Sequence, residues 1–235
     1  MEKENLFKWK HYQPKLILLT VRWYLRYNLS FRDLVEMMEK RGLSLVYTSI
    51  MRWVHQYGSQ LEEKVRHHLK STNDSWRVDE TYIKVKGQWV YLYRAVDSEG
   101  NTIDFYLSKS RDKQAAKRFF KKALAFSYVS KPRVITVDKN PAYPVAIQEL
   151  KEEKPMPEGM QLRQVKYLNN RVEQDHRFIK RRVRSMLGLK SFKTAISILC
   201  GVEAMHMMKK GQVVLPDKSV QKQKELIHKL FCLAS

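Results

Sequence analysis

The spacing of apolar residues changes once along this chain, and that change restricts its fold more than any other feature. From Trp76 onward come three runs rich in β-branched and aromatic residues, over 78–85, 88–96 and 102–108. Lys86-Gly87 and the stretch from Asp97 to Asn101 interrupt them with turn residues, so the runs read as a three-stranded antiparallel meander. An amphipathic helix is expected from Asp112 to about Phe126, with Ala115, Ala116, Phe119, Phe120, Ala123 and Leu124 on its apolar face. A buried strand over 133–137 follows, then a helix entered through Asn140-Pro141 and running through Leu150, then a short strand over 162–165. A helix from Asn169 to about Leu187, stopped by Gly188, completes the order β-β-β-α-β-α-β-α. The predicted class is therefore α/β, a mixed sheet flanked by helices.

Before Trp76 the period is helical. Pro14 to about Tyr57 reads as three short helices, the second capped by Ser30 with Asp33 three residues on and with Phe31, Leu34, Val35 and Met38 on one face. Gly42 supplies a turn. The third helix places Ile50, Trp53, Val54 and Tyr57 inward, which leaves Thr48, Ser49, Arg52, His55 and Gln56 facing solvent. This is the pattern of a helix-turn-helix whose second helix meets DNA, and a plain helical bundle is the other reading. A charged helix then runs from Gln60 into a polar linker.

The expected domains are thus a helical DNA-binding unit over 1–70, a linker over 71–75, a sheet domain over 76–212 and a tail over 213–235. The helix from Ala195 to Met208 is too short to span a bilayer and is expected to pack on the sheet. The tail holds Pro216 and a docking helix around Leu226 to Leu233.

Partners follow from charge. Forty-five Lys and Arg against 24 Asp and Glu give a net +21, spread along the whole chain, which suits a polyanion and makes nucleic acid the first expectation. A membrane surface fits less well, because no single amphipathic stretch collects the charge. No apolar run approaches the roughly 18 residues of a spanning helix, and Met1-Glu-Lys-Glu-Asn5 lacks the shape of a signal peptide, so a soluble, cytoplasmic protein is expected. Cys200 and Cys232 have no partner spacing and read as inert thiols.

Three acids stand out from this basic background. Asp79 lies in the first strand, Asp138 closes the strand after the long helix, and Glu173 lies in a basic helix beyond the 34 residues from Lys139 to Val172. Each has an ordinary explanation: a charge on an edge strand, a helix cap, and a pair with Arg177 four residues on. Together they suit a pair of hard divalent cations, because the two strands are neighbours in such a sheet and the helix can cross their ends. Without cations the clustered acids would repel one another. Magnesium fits an oxygen-only site, with manganese as a substitute. The helix of Glu173 also carries Arg171, Arg177, Lys180, Arg181, Arg182 and Arg184, and Lys180 returns to the glutamate's face two turns on, where a phosphate of bound DNA could lie. Asp97, Asp104, Asp112 and Asp175 read as surface or turn acids.

At these residues the chain resembles the DDE transposases of bacterial insertion sequences, in particular the insertion sequence six family. The resemblance rests on Trp76-Arg-Val-Asp79-Glu-Thr-Tyr82, Val137-Asp138-Lys-Asn-Pro-Ala-Tyr143, Asn169-Asn-Arg-Val-Glu173-Gln-Asp-His-Arg-Phe-Ile-Lys180 and Gly188-Leu-Lys-Ser-Phe192. It extends from about Pro14 to Gln212, and the spacing of the second aspartate to the glutamate agrees. It implies a ribonuclease-H-like core of the retroviral-integrase kind, with Asp79, Asp138 and Glu173 catalytic and binding two Mg2+ ions. It further implies recognition of terminal inverted repeats by the N-terminal helices, cleavage and strand transfer on element ends and target DNA, replicative transposition through cointegrates, and a bacterial, nucleoid-associated location. Pairing two element ends calls for a homodimer or larger assembly. The competing expectations are a DNA-binding regulator without catalysis and a nuclease that cuts without joining.

Overall fold

In the computed structural model of the chain, residues 6–8, 11–165, 170–186, 189–217 and 219–233 are described, and of 170–173 the backbone alone. The elements in order are α1 (Pro14–Arg26), α2 (Phe31–Glu39), α3 (Tyr47–Arg66), β1 (Ser75–Val85), β2 (Gln88–Asp97), β3 (Thr102–Ser108), α4 (Lys113–Leu124), β4 (Val134–Val137), α5 (Ala142–Glu152), β5 (Gln161–Gln164), α6 (Asn170–Ser185), α7 (Phe192–Lys210) and α8 (Val220–Leu230). They form two compact units, 70–184 and a helical unit made of 1–69 with 185–235. No helix among the described residues is long and apolar enough to cross a membrane.

In the helical unit α2 carries the expected reciprocal cap. The Ser30 hydroxyl accepts from the Asp33 amide at 3.2 Å and the Asp33 carboxylate accepts from the Ser30 amide at 2.7 Å. Gly42 follows at φ 73°. Two features of this unit differ from the sequence expectation. Helix α3 does not stop near Tyr57 but runs on through Gly58 to Arg66, because Gly58 lets α3 and α7 come together. A Cβ at Gly58 would sit 2.6 Å from the Ser197 carbonyl oxygen, and one at Gly201 would sit 3.0 Å from the Gly58 Cα. That contact offsets the roughly 1 kcal/mol helix cost of glycine.

The second difference is that α7 packs on α1 and α3 within this unit, where its sequence suggested the sheet. It is buried almost all round from Ile198 to Met208, so no polar face marks which neighbour it seeks. The 213–235 stretch belongs here too. Phe231, just past α8, stacks edge-on to Tyr57 at 5.8 Å, and Val213 bridges to Leu69.

The other unit is built on a five-stranded sheet in the order β3-β2-β1-β4-β5. β1, β2 and β3 form the antiparallel meander that alternation implied, and β4 and β5 join in parallel to β1. Trp76, Val78, Tyr93, Ala95, Ile103, Ile135 and Val137 turn one sheet face to α4 and α5, which answer with Phe119, Phe120, Tyr143, Ala146, Ile147 and Leu150. Burying a large apolar side chain is worth about 1.5–3 kcal/mol, so this layer holds the central strands in register. β4 pairs with β1 over Ser75–Arg77 only, and β1 runs on to Val85. The outer edge of β1 therefore opens just where Asp79 stands.

Candidate active site

The parallel register of β1 and β4 sets the site. Arg77 is level with Thr136, so Asp79 and Asp138, each two residues further on, lie side by side at the carboxyl end of β4. Successive side chains alternate, hence both acids continue the row begun by Arg77 and Thr136. Oxygens of Asp79, Glu80 and Asp138 all fall within 4.8 Å of one another. Glu80 was not singled out from sequence, because strict alternation would send it away from Asp79. Its carboxylate nevertheless reaches the cluster, held there by Arg111, Asn140 and Tyr143.

Glu80 is also the centre of the local hydrogen bonding. Its carboxylate is nearly buried, with 3% of the side chain exposed, and it accepts from the Tyr143 hydroxyl, from Arg111 and from Asn140 Nδ2 at 3.1 Å. Asn140 in turn donates its amide to Asp138 Oδ1 at 3.1 Å, and Arg111 also reaches Asp138 Oδ2 at 3.4 Å. These contacts pin the turn carrying Asp138 to β1. Burial raises the Asp138 carboxyl above its ordinary range, an effect that the Asn140 amide opposes and the Glu80 charge reinforces. Burial works against the charge on Arg111, yet Glu80 and Asp138 more than offset it and hold the guanidinium above its usual value. Burial and the neighbouring Glu80 push the Tyr143 hydroxyl far up, so it stays a donor.

The opposite sheet face receives α6. Arg94, directly across from Asp79 in the β1–β2 ladder, is fully buried and donates to the Asp175 carbonyl at 3.3 Å and to Asp175 Oδ2 at 3.1 Å. Asp175 is thus a buried anchor and not a surface acid. Asp104, buried beside Lys122 at 3.0 Å, and the buried turn acid Asp97 depart from a surface reading in the same way. His176 lies with Nδ1 3.7 Å from Asp79 Oδ2. Burial, then Arg94 and Lys180, push its imidazole down to about 3, so a neutral ring faces the carboxylate and no ion pair forms.

Glu173 belongs to α6 one turn before His176; its side chain and that of Arg171 lie outside the described residues, as do Asn169 and Gly188. Along the rest of α6, Arg177, Lys180, Arg181 and Arg184 are exposed, whereas Arg182 is fully buried. On α3, Arg52 is exposed and Thr48, Ser49 and His55 are half-buried, so Arg52 alone of these four matches the solvent-facing placement in full.

As for fit to a metal, three carboxylates converge and offer only oxygen donors, which suits a hard divalent cation. Arg111, 45% exposed at its side chain, places positive charge between Glu80 and Asp138.

Comparison with known proteins is consistent across most of the chain. The profile of the DDE domain family matches residues 73–212. The transposase for insertion sequence-like element IS431mec of Staphylococcus aureus is 38% identical over 208 residues, covering 88% of this chain and 89% of its own length. The transposase for insertion sequence element IS257 in transposon Tn4003, also of Staphylococcus aureus, matches to the same extent. Among solved structures, the HTLV-2 integrase catalytic core domain in complex with magnesium aligns with a TM-score of 0.46 at 20% identity, over 65% of this chain and 96% of that one.

Proposed function

We propose, because the chain belongs to the insertion sequence six family of DDE transposases, that it binds the terminal inverted repeats of its element, nicks them, and joins the freed 3′-hydroxyl to target DNA in replicative transposition. Asp79, Asp138 and Glu173 are the catalytic carboxylates in this reading, and they hold two Mg2+ ions, with Mn2+ able to substitute. The observation that carries it is the register-matched pair of Asp79 and Asp138 at the open edge of β1, with oxygens within 4.8 Å. The sheet order, an antiparallel meander extended by two parallel strands, supports a ribonuclease-H-like core.

When bound, the ions supply charge that activates the attacking oxygen and stabilises the leaving one at phosphorus. The chain's own groups do the rest. Glu80, Asn140 and Arg111 orient Asp138, and the neutral His176 flanks Asp79 without competing for positive charge. Arg177, Lys180, Arg181 and Arg184 hold backbone phosphates, contacts that set position but not sequence. Sequence is read by the helical unit, where α2 and α3 act as a helix-turn-helix and Thr48, Ser49, Arg52 and His55 approach the base edges. Two element ends must meet, so the working form is a homodimer or larger, acting on double-stranded DNA in the bacterial nucleoid.

The test is incubation of the purified chain with labelled element-end duplex and target DNA. The parent is expected to nick and join only with a divalent cation, and Asp79→Asn to bind the duplex without cutting. Cutting by Asp79→Asn at the parent's rate would overturn the catalytic assignment, and nicking without joining would make the protein a nuclease.

A further inference from the structure

Beyond Asp79 and Glu80, β1 carries an aromatic surface that the reaction just described does not use. Tyr82 and Trp89 are 55% and 61% exposed and meet edge to face at 5.1 Å. They share one face of the β1–β2 hairpin, since Tyr82 pairs with Tyr91 and Lys84 with Trp89 in the ladder. Two lysines attend them. Lys84 Nζ is 5.6 Å from the Trp89 ring centre, and Lys180 Nζ, from α6, is 5.3 Å from that of Tyr82.

We infer that this patch is a stacking site for unpaired DNA bases next to the scissile phosphate. Large exposed aromatics beside basic side chains are the stacking platforms on which single-stranded bases lie, because every base offers a flat face to the ring. The flanking ammonium groups match the phosphates that must accompany those bases. A protein partner would also seek aromatics, but lysine is depleted at protein interfaces, and here it frames the patch. Position favours DNA as well. Tyr82 shares the sheet face of Glu80, two residues and about 7 Å along β1, the rise of roughly two stacked nucleotides in one strand, and Glu80 has an oxygen within 4.8 Å of Asp79 and Asp138. A strand whose phosphate lies at Asp79 and Asp138 can therefore lay its next few bases on Tyr82 and Trp89. Paired bases cannot do so, hence the patch favours an end that has frayed and holds it open for joining.

This inference rests on the proposed placement of DNA at the carboxylates, but its test does not depend on cutting. The full chain, in EDTA, is titrated with a fluorescent 12-nucleotide thymidine strand and with an abasic strand of the same length. The parent is expected to prefer the thymidine strand. Trp89→Ala should lose about 5- to 100-fold on that strand and little on the abasic one, and Trp89→Phe should recover most of the loss. Lys84→Gln should weaken both strands alike. Equal binding of the thymidine strand by Trp89→Ala and the parent would overturn the inference. So would a Trp89→Ala variant that changes the assembly state in sedimentation while its strand binding stays intact, which would assign the patch to a protein partner. If instead Asp79→Asn cut normally while Trp89→Ala lost base-dependent binding, the catalytic reading alone would fail.

Discussion

Arg94 and Asp175 are 81 residues apart in sequence, yet the fully buried guanidinium of one donates to the carboxylate of the other at 3.1 Å. That pair fastens α6 to the sheet face that carries Asp79, one strand over from it. Removing one partner strands a buried charge, so Arg94→Gln and Asp175→Asn should each cost about 3–5 kcal/mol in urea unfolding. The double change Arg94→Gln with Asp175→Asn should cost less than the sum of the two single losses. Additive losses would show that the two side chains do not act as a unit.

Glu80 gathers Tyr143, Asn140 and Arg111 around one carboxylate and thereby steadies the turn of Asp138. Glu80→Ala should leave those donors without their acceptor and lower stability by about 1–3 kcal/mol. It should also weaken Mn2+ binding measured by calorimetry. Glu80→Gln, which keeps an acceptor oxygen but loses the charge, should restore much of the stability and less of the metal affinity. Unchanged Mn2+ affinity in both variants would place Glu80 outside the metal environment.

Gly58→Ala tests the α3–α7 crossing. Alanine normally favours a helix by about 1 kcal/mol over glycine, but here the added methyl meets a backbone carbonyl oxygen at 2.6 Å. Net destabilisation of about 1–3 kcal/mol is expected, read as a fall in the melting temperature. A rise would mean that the helices have room to part.

His176 gives the metal-free chain a defined acid sensitivity. Its folded-state value of about 3 lies below the ordinary 6.5, so between those limits the unfolded chain binds the extra proton. Its contribution is fully present above pH 6.5 and is lost progressively as the pH falls toward 3, on the order of a few kcal/mol at most. Melting temperature against pH should fall less steeply over that window for His176→Gln than for the parent. Parallel curves would show that the ring is not desolvated.

Much of this fold was legible because local pattern and tertiary role agree. The alternation in β1 to β3, the Ser30 and Asp33 cap, and Asp138 at the end of β4 follow from short-range spacing, whereas Asp79 lies inside β1 and not at a strand end. What stayed hidden depends on long-range contact. Glu80 sits one residue from Asp79, and alternation alone would turn it away. Asp175 looks like any surface acid of a polar helix until Arg94 is found opposite. Helix α7 is buried almost all round, so its period names no neighbour, and the close approach of Gly58 and Gly201 joins residues far apart in sequence. The sequence reading put Asp79 and Asp138 on neighbouring strands, and the parallel register of Arg77 with Thr136 sets the two acids side by side.

If Asp79 and Asp138 grip the divalent cation that drives cleavage, as proposed, exchanging either ligand must change the metal requirement. Asp79→Cys and Asp138→Cys replace a hard oxygen by sulfur, which Mg2+ avoids and Mn2+ tolerates better. Nicking of labelled element-end DNA should be lost in Mg2+ for both variants and partly regained in Mn2+, with duplex binding unaffected. Full activity in Mg2+, or loss in both metals alongside unaltered Mn2+ binding, would contradict it.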